Sequence, residues 1–277
     1  MPRVHALLLA LATSACTGGE SSEEPDENEW GYELDPHVDS YVPDSYVAPA
    51  PQRIVFLGDS ITAGLGVADS YDELMVENDD EDWPDHDELD LEHTYPELGE
   101  VVDESIGGAT TSSLISQQLP NLEDTLGYPA PGETLVVMTI GGNDIVELLF
   151  GQADIGAGID EVLENLAEII GHFQDPDHFP DGTYIYLSNV YEPTDQVGQA
   201  EECFWGYDLS SFQDDFIDAN DGIRALAEEL GVGMVDMYGH FQGHGYNAED
   251  DSIDVYHQDD PTTWFQSDCI HPNARGH

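Results

Sequence analysis

Five residues have types and spacing that could carry nucleophilic acyl transfer: Ser60, Gly108, Asn143, Asp268 and His271. A serine hydroxyl attacks only when a base within hydrogen-bond reach takes its proton and a third group orients that base. Asp268 and His271, three apart in Asp268-Cys269-Ile270-His271-Pro272-Asn273, can supply both, the carboxylate fixing the imidazole tautomer. A tetrahedral intermediate also needs donors aimed at its oxyanion. The backbone N–H groups of Ser60 and Gly108 and the side-chain amide of Asn143 are candidates, and glycine at 108 allows close approach because no Cβ intervenes. Each residue also has an ordinary use. Ser60 and Asn143 could cap helices, Gly141-Gly142 could simply turn the chain, and His271 is one of 11 histidines.

The elements around these residues must bring them together. Arg53 to Leu57 reads as a buried strand, four apolar residues ended by Gly58, with Ser60 at its carboxyl end. Further strands are expected at Glu100–Glu104, Thr134–Ile140, Thr183–Ser188 and Val232–Met237. Between them, Ser112–Leu119 reads as a short helix stopped by Pro120, and another helix starts near Ile145. A stripe from Ile159 to Ile170 ends at Gly171, and one from Phe212 to Leu230 is capped by Ser210 or Ser211 and ends at Gly231. Alternating strands and helices imply parallel pairing through right-handed crossovers and a three-layer α/β/α sandwich. In such a sheet the reacting groups gather in the crevice at the strands' carboxyl ends.

Gly58-Asp59-Ser60-Ile61-Thr62, Gly108 within Ser105–Thr111, Gly141-Gly142-Asn143-Asp144 and Asp268–His271 together resemble, in order and separation, the four sequence blocks of the SGNH (GDSL) hydrolases across residues 52–277. The resemblance implies a flavodoxin-like, five-stranded parallel sheet of order 2-1-3-4-5. It implies Ser60 as nucleophile, His271 as base, Asp268 as its orienter, and Ser60, Gly108 and Asn143 as the oxyanion hole of a carboxylic ester hydrolase. No metal or organic cofactor is implied. Gly107 stands where many members have serine, and the chain stops at His277 where members continue into a closing helix; either the sequence is cut short or a helix is missing, and a missing helix is expected to expose apolar surface and loosen the His271 loop.

The charge is extreme: 60 acidic residues face Arg3, Arg53, Arg224 and Arg275, with no lysine, for a net charge of -56. Such a surface repels nucleic acid and anionic membranes, which excludes both as primary ligands and ranks neutral lipid, glycan or small-molecule esters first. It also predicts a fold that needs salt to screen its self-repulsion. Arg3, the apolar run Ala6–Ala12 and Ser14-Ala15 before Cys16 read as an export signal, residues 1–16, with Cys16 placed as a lipidated cysteine. A cleaved, released protein is the alternative. Residues 17–51, acidic and proline-punctuated, are expected to be a flexible tether, so that the membrane is met only through the anchor. The globular part is expected to be a monomer.

In an exported protein Cys203 and Cys269 are expected to pair, two buried free thiols being the alternative. The bridge would tie Phe204-Trp205-Gly206-Tyr207 to the Asp268–His271 turn, and these aromatics together with Trp264-Phe265 are candidates to line an acyl pocket or to be plain core. Residues 69–93 read as a solvated acidic insertion without the glycine-centred spacing of an EF-hand loop. The reading from a different class is a catalytically silent, surface-tethered binding module of the same fold, holding calcium on its carboxylates.

Overall fold

The computed structural model describes residues 40–46, 49–68, 70–78, 89–151, 155–199, 203 and 208–277. Five strands, β1 (Arg53–Gly58), β2 (Glu100–Asp103), β3 (Thr134–Thr139), β4 (Thr183–Ser188) and β5 (Gly233–Val235), form one parallel sheet in the order β2-β1-β3-β4-β5. The helices are α1 (Tyr71–Val76), α2 (Leu91–Thr94), α3 (Thr111–Ser113), α4 (Leu119–Leu126), α5 (Gly142–Gly151), α6 (Ile155–Gln174), α7 (Gln213–Leu230) and α8 (Met237–Phe241). Among the described residues no helix is long and apolar enough to cross a membrane.

The central strands β1, β3 and β4 are largely apolar because both faces of the sheet are covered there, whereas the edge strand β2 buries only Val102. Val55, Leu57, Val136, Met138, Ile185 and Leu187 point to one face, packed by Leu119 and Leu122 of α4, Leu166, Ile169 and Phe173 of α6, and Ile223 of α7. The alternate residues Ile54, Phe56, Leu135, Val137 and Tyr186 point to the other. That second layer is thin, made of Tyr71, Met75 and Val76 of α1, Leu91 of α2, Tyr95 and Tyr46. The two ends of the acidic insertion are therefore packed structure rather than solvated chain, because an apolar stripe runs through each. Residues 79–88 lie outside the described residues.

The tether expectation fails for its last part in the same way. Tyr41 forms an antiparallel bridge with Met234 on the outer edge of β5, and Ser40 Oγ accepts the Asp236 N–H at 2.9 Å. Tyr46 reaches β4, where its hydroxyl accepts from the Ile185 N–H at 2.8 Å and donates to the Ile185 carbonyl at 3.1 Å. β5 joins β4 only from Tyr186 onward, so the hydroxyl stands in for the strand missing beside Ile185. Residues 1–39 lie outside the described residues.

Three helix boundaries differ from the sequence reading. Pro120 does not stop its helix: residues Leu114–Gln118 form a π turn, closed by the Leu119 N–H on the Leu114 carbonyl, and the chain continues through Pro120 into α4. Gly171 does not end α6, which runs on to bury Phe173. Ser210 and Ser211 lie in a 3₁₀ turn before α7 rather than capping it, because the Asp208 carboxylate takes the Ser210 N–H at 2.9 Å. β5 is also shorter than expected, since Asp236 caps α8 through the Gly239 N–H at 2.8 Å.

Candidate active site

β1 delivers Ser60 through a turn that only glycine can start. Gly58 has φ +134°, and a Cβ there would lie 2.1 Å from the Thr139 carbonyl oxygen. Asp59 follows, buried, its Oδ1 accepting the Ile61 N–H at 2.9 Å and the Thr139 hydroxyl at 3.3 Å. Burial pushes its carboxyl up to about 6.

Ser60 Oγ lies 2.9 Å from His271 Nε2, and His271 Nδ1 lies 2.7 Å from Asp268 Oδ2. An ionised carboxylate only accepts, so the Nδ1 proton faces Asp268 and neutral His271 presents the Nε2 lone pair to the Ser60 hydroxyl. Burial alone would raise the Asp268 carboxyl. The hydrogen bonds from the His271 ring and from the backbone N–H groups of His271 and Ile270 outweigh it and hold the pKa below its usual value.

Gly108 and Asn143 arrive on loops that are tied to each other. Asn143, in the first turn of α5, donates from Nδ2 to the Ala109 carbonyl at 2.9 Å, which leaves its second amide hydrogen available. The next residue, Asp144, accepts from the Thr111 N–H and hydroxyl, the latter at 2.6 Å. A Cβ built on Gly107 would lie 3.9 Å from Ser60 Cβ, so this loop runs beside the serine. Among the described residues the Ser60 and Gly108 backbone N–H groups have no hydrogen-bond acceptor. The five residues singled out in the sequence thus converge on one end of the sheet.

The His271 loop is held firmly, contrary to the expected loosening. Phe265 bridges Pro272, the Gln266 N–H donates to the His271 carbonyl at 2.8 Å, and Tyr191 Oη donates to the Ile270 carbonyl at 2.5 Å. The Cys203–Cys269 disulfide joins the same loop from the other side. Gln266 Nε2 also donates to the Leu65 carbonyl at 2.7 Å, which fastens the loop to the turn after Ser60. Tyr191 and Gln266 carry no motif and were not legible as site residues.

Beside Ser60 and Asn143 a cleft runs between α5 and α7, lined chiefly by Ile145, Leu149, Val190, Leu209, Phe216 and Ile270. Trp264 and Phe265 are not part of it. Phe265 packs on Tyr191 and Phe241, and Trp264 stacks on His244 with ring centroids 3.7 Å apart. Residues 204–207 lie outside the described residues, as does most of the carboxylate run proposed for calcium. Among the described residues no group of three or more His, Cys, Asp or Glu side chains is arranged to hold a metal ion.

Residues 56–277 match the profile of the GDSL-like lipase/acylhydrolase family. The chain belongs to that family. It is therefore a carboxylic ester hydrolase. Solved structures of similar fold include an acetyl xylan esterase, AlAXEase, at 19% identity and TM-score 0.52, with 81% of this chain and 93% of that one covered. A putative GDSL-like lipase from Parabacteroides merdae matches at 15% identity and TM-score 0.52 over 81% of this chain and 89% of that one. At these identities the likeness is one of fold. No curated protein matches the GDSL-like chain.

Proposed function

We propose that this family member is an exported serine esterase that cleaves neutral carboxylic esters through an acyl-enzyme on Ser60. The observation that carries the reading is the continuous line from Asp268 through His271 to Ser60, at 2.7 and 2.9 Å. His271 takes the Ser60 proton as Oγ attacks the ester carbonyl, and Asp268 stabilises the resulting imidazolium. The oxyanion meets the N–H groups of Ser60 and Gly108 and the free amide hydrogen of Asn143. His271 then returns the proton to the departing alkoxide. Water repeats the sequence on the acyl-enzyme and releases the acid.

The acyl group occupies the cleft between α5 and α7, whose wall of Ile145, Leu149, Val190 and Phe216 favours a hydrocarbon chain over a charged one. The acidic surface disfavours anionic esters for the same reason that it disfavours nucleic acid. Residues 1–16 serve as the export signal and Cys16 as a lipid attachment point, with the tether ending where the chain joins the fold near Ser40. The Cys203–Cys269 bridge supports an oxidising compartment. The globular part acts as a monomer.

The test is turnover of p-nitrophenyl esters from acetate to decanoate by the full chain in molar salt, with Ser60→Ala beside it. Hydrolysis that Ser60→Ala abolishes, together with labelling of Ser60 by a fluorophosphonate, is the expected result. Absence of both on every ester would overturn the reading.

A further inference from the structure

We infer that Gln118 is a positioning residue for Ser60, an inference that rests on Ser60 being the nucleophile. The sheet is asymmetric about β1. β3 pairs with β1 along its whole length, from Arg53 opposite Thr134 to Gly58 opposite Thr139. On the other side β2 pairs only as far as Phe56, opposite Asp103, and the chain then leaves for the Gly108 loop. The two residues of β1 nearest the nucleophile therefore lack a neighbouring strand on the β2 side. Residue Gly58 turns both its N–H and its carbonyl toward that gap.

Gln118 fills it. Its side chain is wholly buried; Oε1 accepts the Gly58 N–H at 2.9 Å and Nε2 donates to the Gly58 carbonyl at 2.7 Å. One primary amide thus makes the pair of bonds for which a further strand would need two peptide groups. The Ile106 N–H shares the same carbonyl at 3.0 Å, so the loop that carries Gly108 is tied to Gly58 beside Gln118. Gln118 is the last residue of the π turn, a local widening of the helix of the kind that recurs at functional sites. The glycine it grips is the one with φ +134° from which the Asp59-Ser60 turn departs. Releasing that grip frees the strand end two residues before the nucleophile, whose Oγ must stay 2.9 Å from His271 Nε2.

The chemistry of the amide makes the role testable. Methionine matches glutamine in length but neither donates nor accepts usefully. Glutamate keeps the shape; protonated it can both accept and donate, and ionised it can only accept. Burial keeps an introduced carboxyl protonated to a pH above its ordinary range. For Gln118→Met we expect kcat to fall about 10- to 100-fold with KM little changed. For Gln118→Glu we expect near-native kcat at acid pH and a decline as pH rises, a limb absent from the unsubstituted enzyme. Hydrogen exchange across residues 56–62, which needs no turnover, should accelerate in Gln118→Met. Unchanged exchange there, or a Gln118→Glu pH profile superimposable on that of the unsubstituted enzyme, would overturn the inference. Should Gln118→Met not fold, the Gln118→Glu profile decides alone. An enzyme with no Ser60-dependent turnover overturns the esterase reading instead, and exchange in the two variants still decides whether Gln118 holds the strand end.

Discussion

Tyr191 Oη donates to the Ile270 carbonyl at 2.5 Å, so the residue immediately before His271 is anchored to the segment that follows β4. Tyr191 stacks on Phe241 with ring centroids 5.0 Å apart and packs edge-on against Phe265. Burial pushes its hydroxyl far above the usual tyrosine pKa, so it remains a donor at any working pH. Tyr191→Phe keeps the ring packing and removes only the hydrogen bond. Stability should fall by about 1–2 kcal/mol in urea unfolding, and kcat should drop more than 1/KM changes, since the lost hydrogen bond holds the residue next to the base while the ring that lines the cleft is kept.

Asn143→Ala separates the oxyanion role from fold. The amide also donates to the Ala109 carbonyl, so some stability is lost with it. The larger expected effect is on kcat, about 10²- to 10³-fold with KM nearly constant, as for removal of one donor to an oxyanion. A loss confined to KM in steady-state kinetics would assign Asn143 to substrate binding.

Asp59 gives a pH dependence whose sign can be worked out. Its carboxyl is raised from 3.8 to about 6 by burial, so the folded state holds the proton more tightly than the unfolded chain. That contribution is fully present below pH 3.8 and is lost as pH rises from there to about 6. The buried rings of His172 and His244, lowered by burial to about 4, act oppositely, and their contribution is lost as pH falls below 6.5. Comparing Asp59→Asn with the unsubstituted chain cancels the histidines. The variant should gain relative stability between pH 4 and pH 6, by up to about 3 kcal/mol; a flat difference would contradict the buried-carboxyl account.

The strands at Arg53, Thr134 and Thr183 were legible because each carries a run of apolar residues where both of its faces are buried. The site was legible because three of its blocks pair glycines with a polar residue at a strand's carboxyl end and the fourth sets Asp268 three residues before His271. Gln118 was not, because glutamine in a helix signals nothing until the sheet is seen to end early beside it. Tyr41 and Tyr46 were hidden for a related reason. They sit in an acidic, proline-rich stretch whose composition argues for disorder, yet two aromatic side chains and one backbone bridge suffice to dock it on β4 and β5.

That docking can be tested by truncation. A chain starting at Pro51 keeps all four blocks but loses the Tyr46 hydroxyl from Ile185 and the Tyr41 bridge from Met234. It should be markedly less stable than one starting at Ser40, and more prone to self-association through the uncovered edge of β5. Tyr46→Phe isolates the hydroxyl. Leaving the Ile185 N–H and carbonyl unpaired should cost about 2–4 kcal/mol in denaturant unfolding.

Salt dependence follows from how the few cations are already engaged. Arg53 bonds Glu100 at 2.5 Å, and Arg275 bonds Asp260 at 2.6 Å. Arg224 lies 3.0 Å from Glu228, one helical turn away. Against the net charge of -56 these pairs offset little, so most carboxylates face one another through solvent. Raising ionic strength from about 0.01 M to 1 M shortens the screening length from roughly 30 Å to 3 Å, which removes repulsion between all but adjacent groups. The melting temperature should therefore climb steeply over that range, with potassium and sodium chloride equivalent because screening is blind to the cation. Calcium at millimolar concentration should add nothing once ionic strength is matched. A rise specific to calcium would instead revive the carboxylate run as a binding site, and a melting temperature indifferent to salt would mean that the fold tolerates its charge through packing alone.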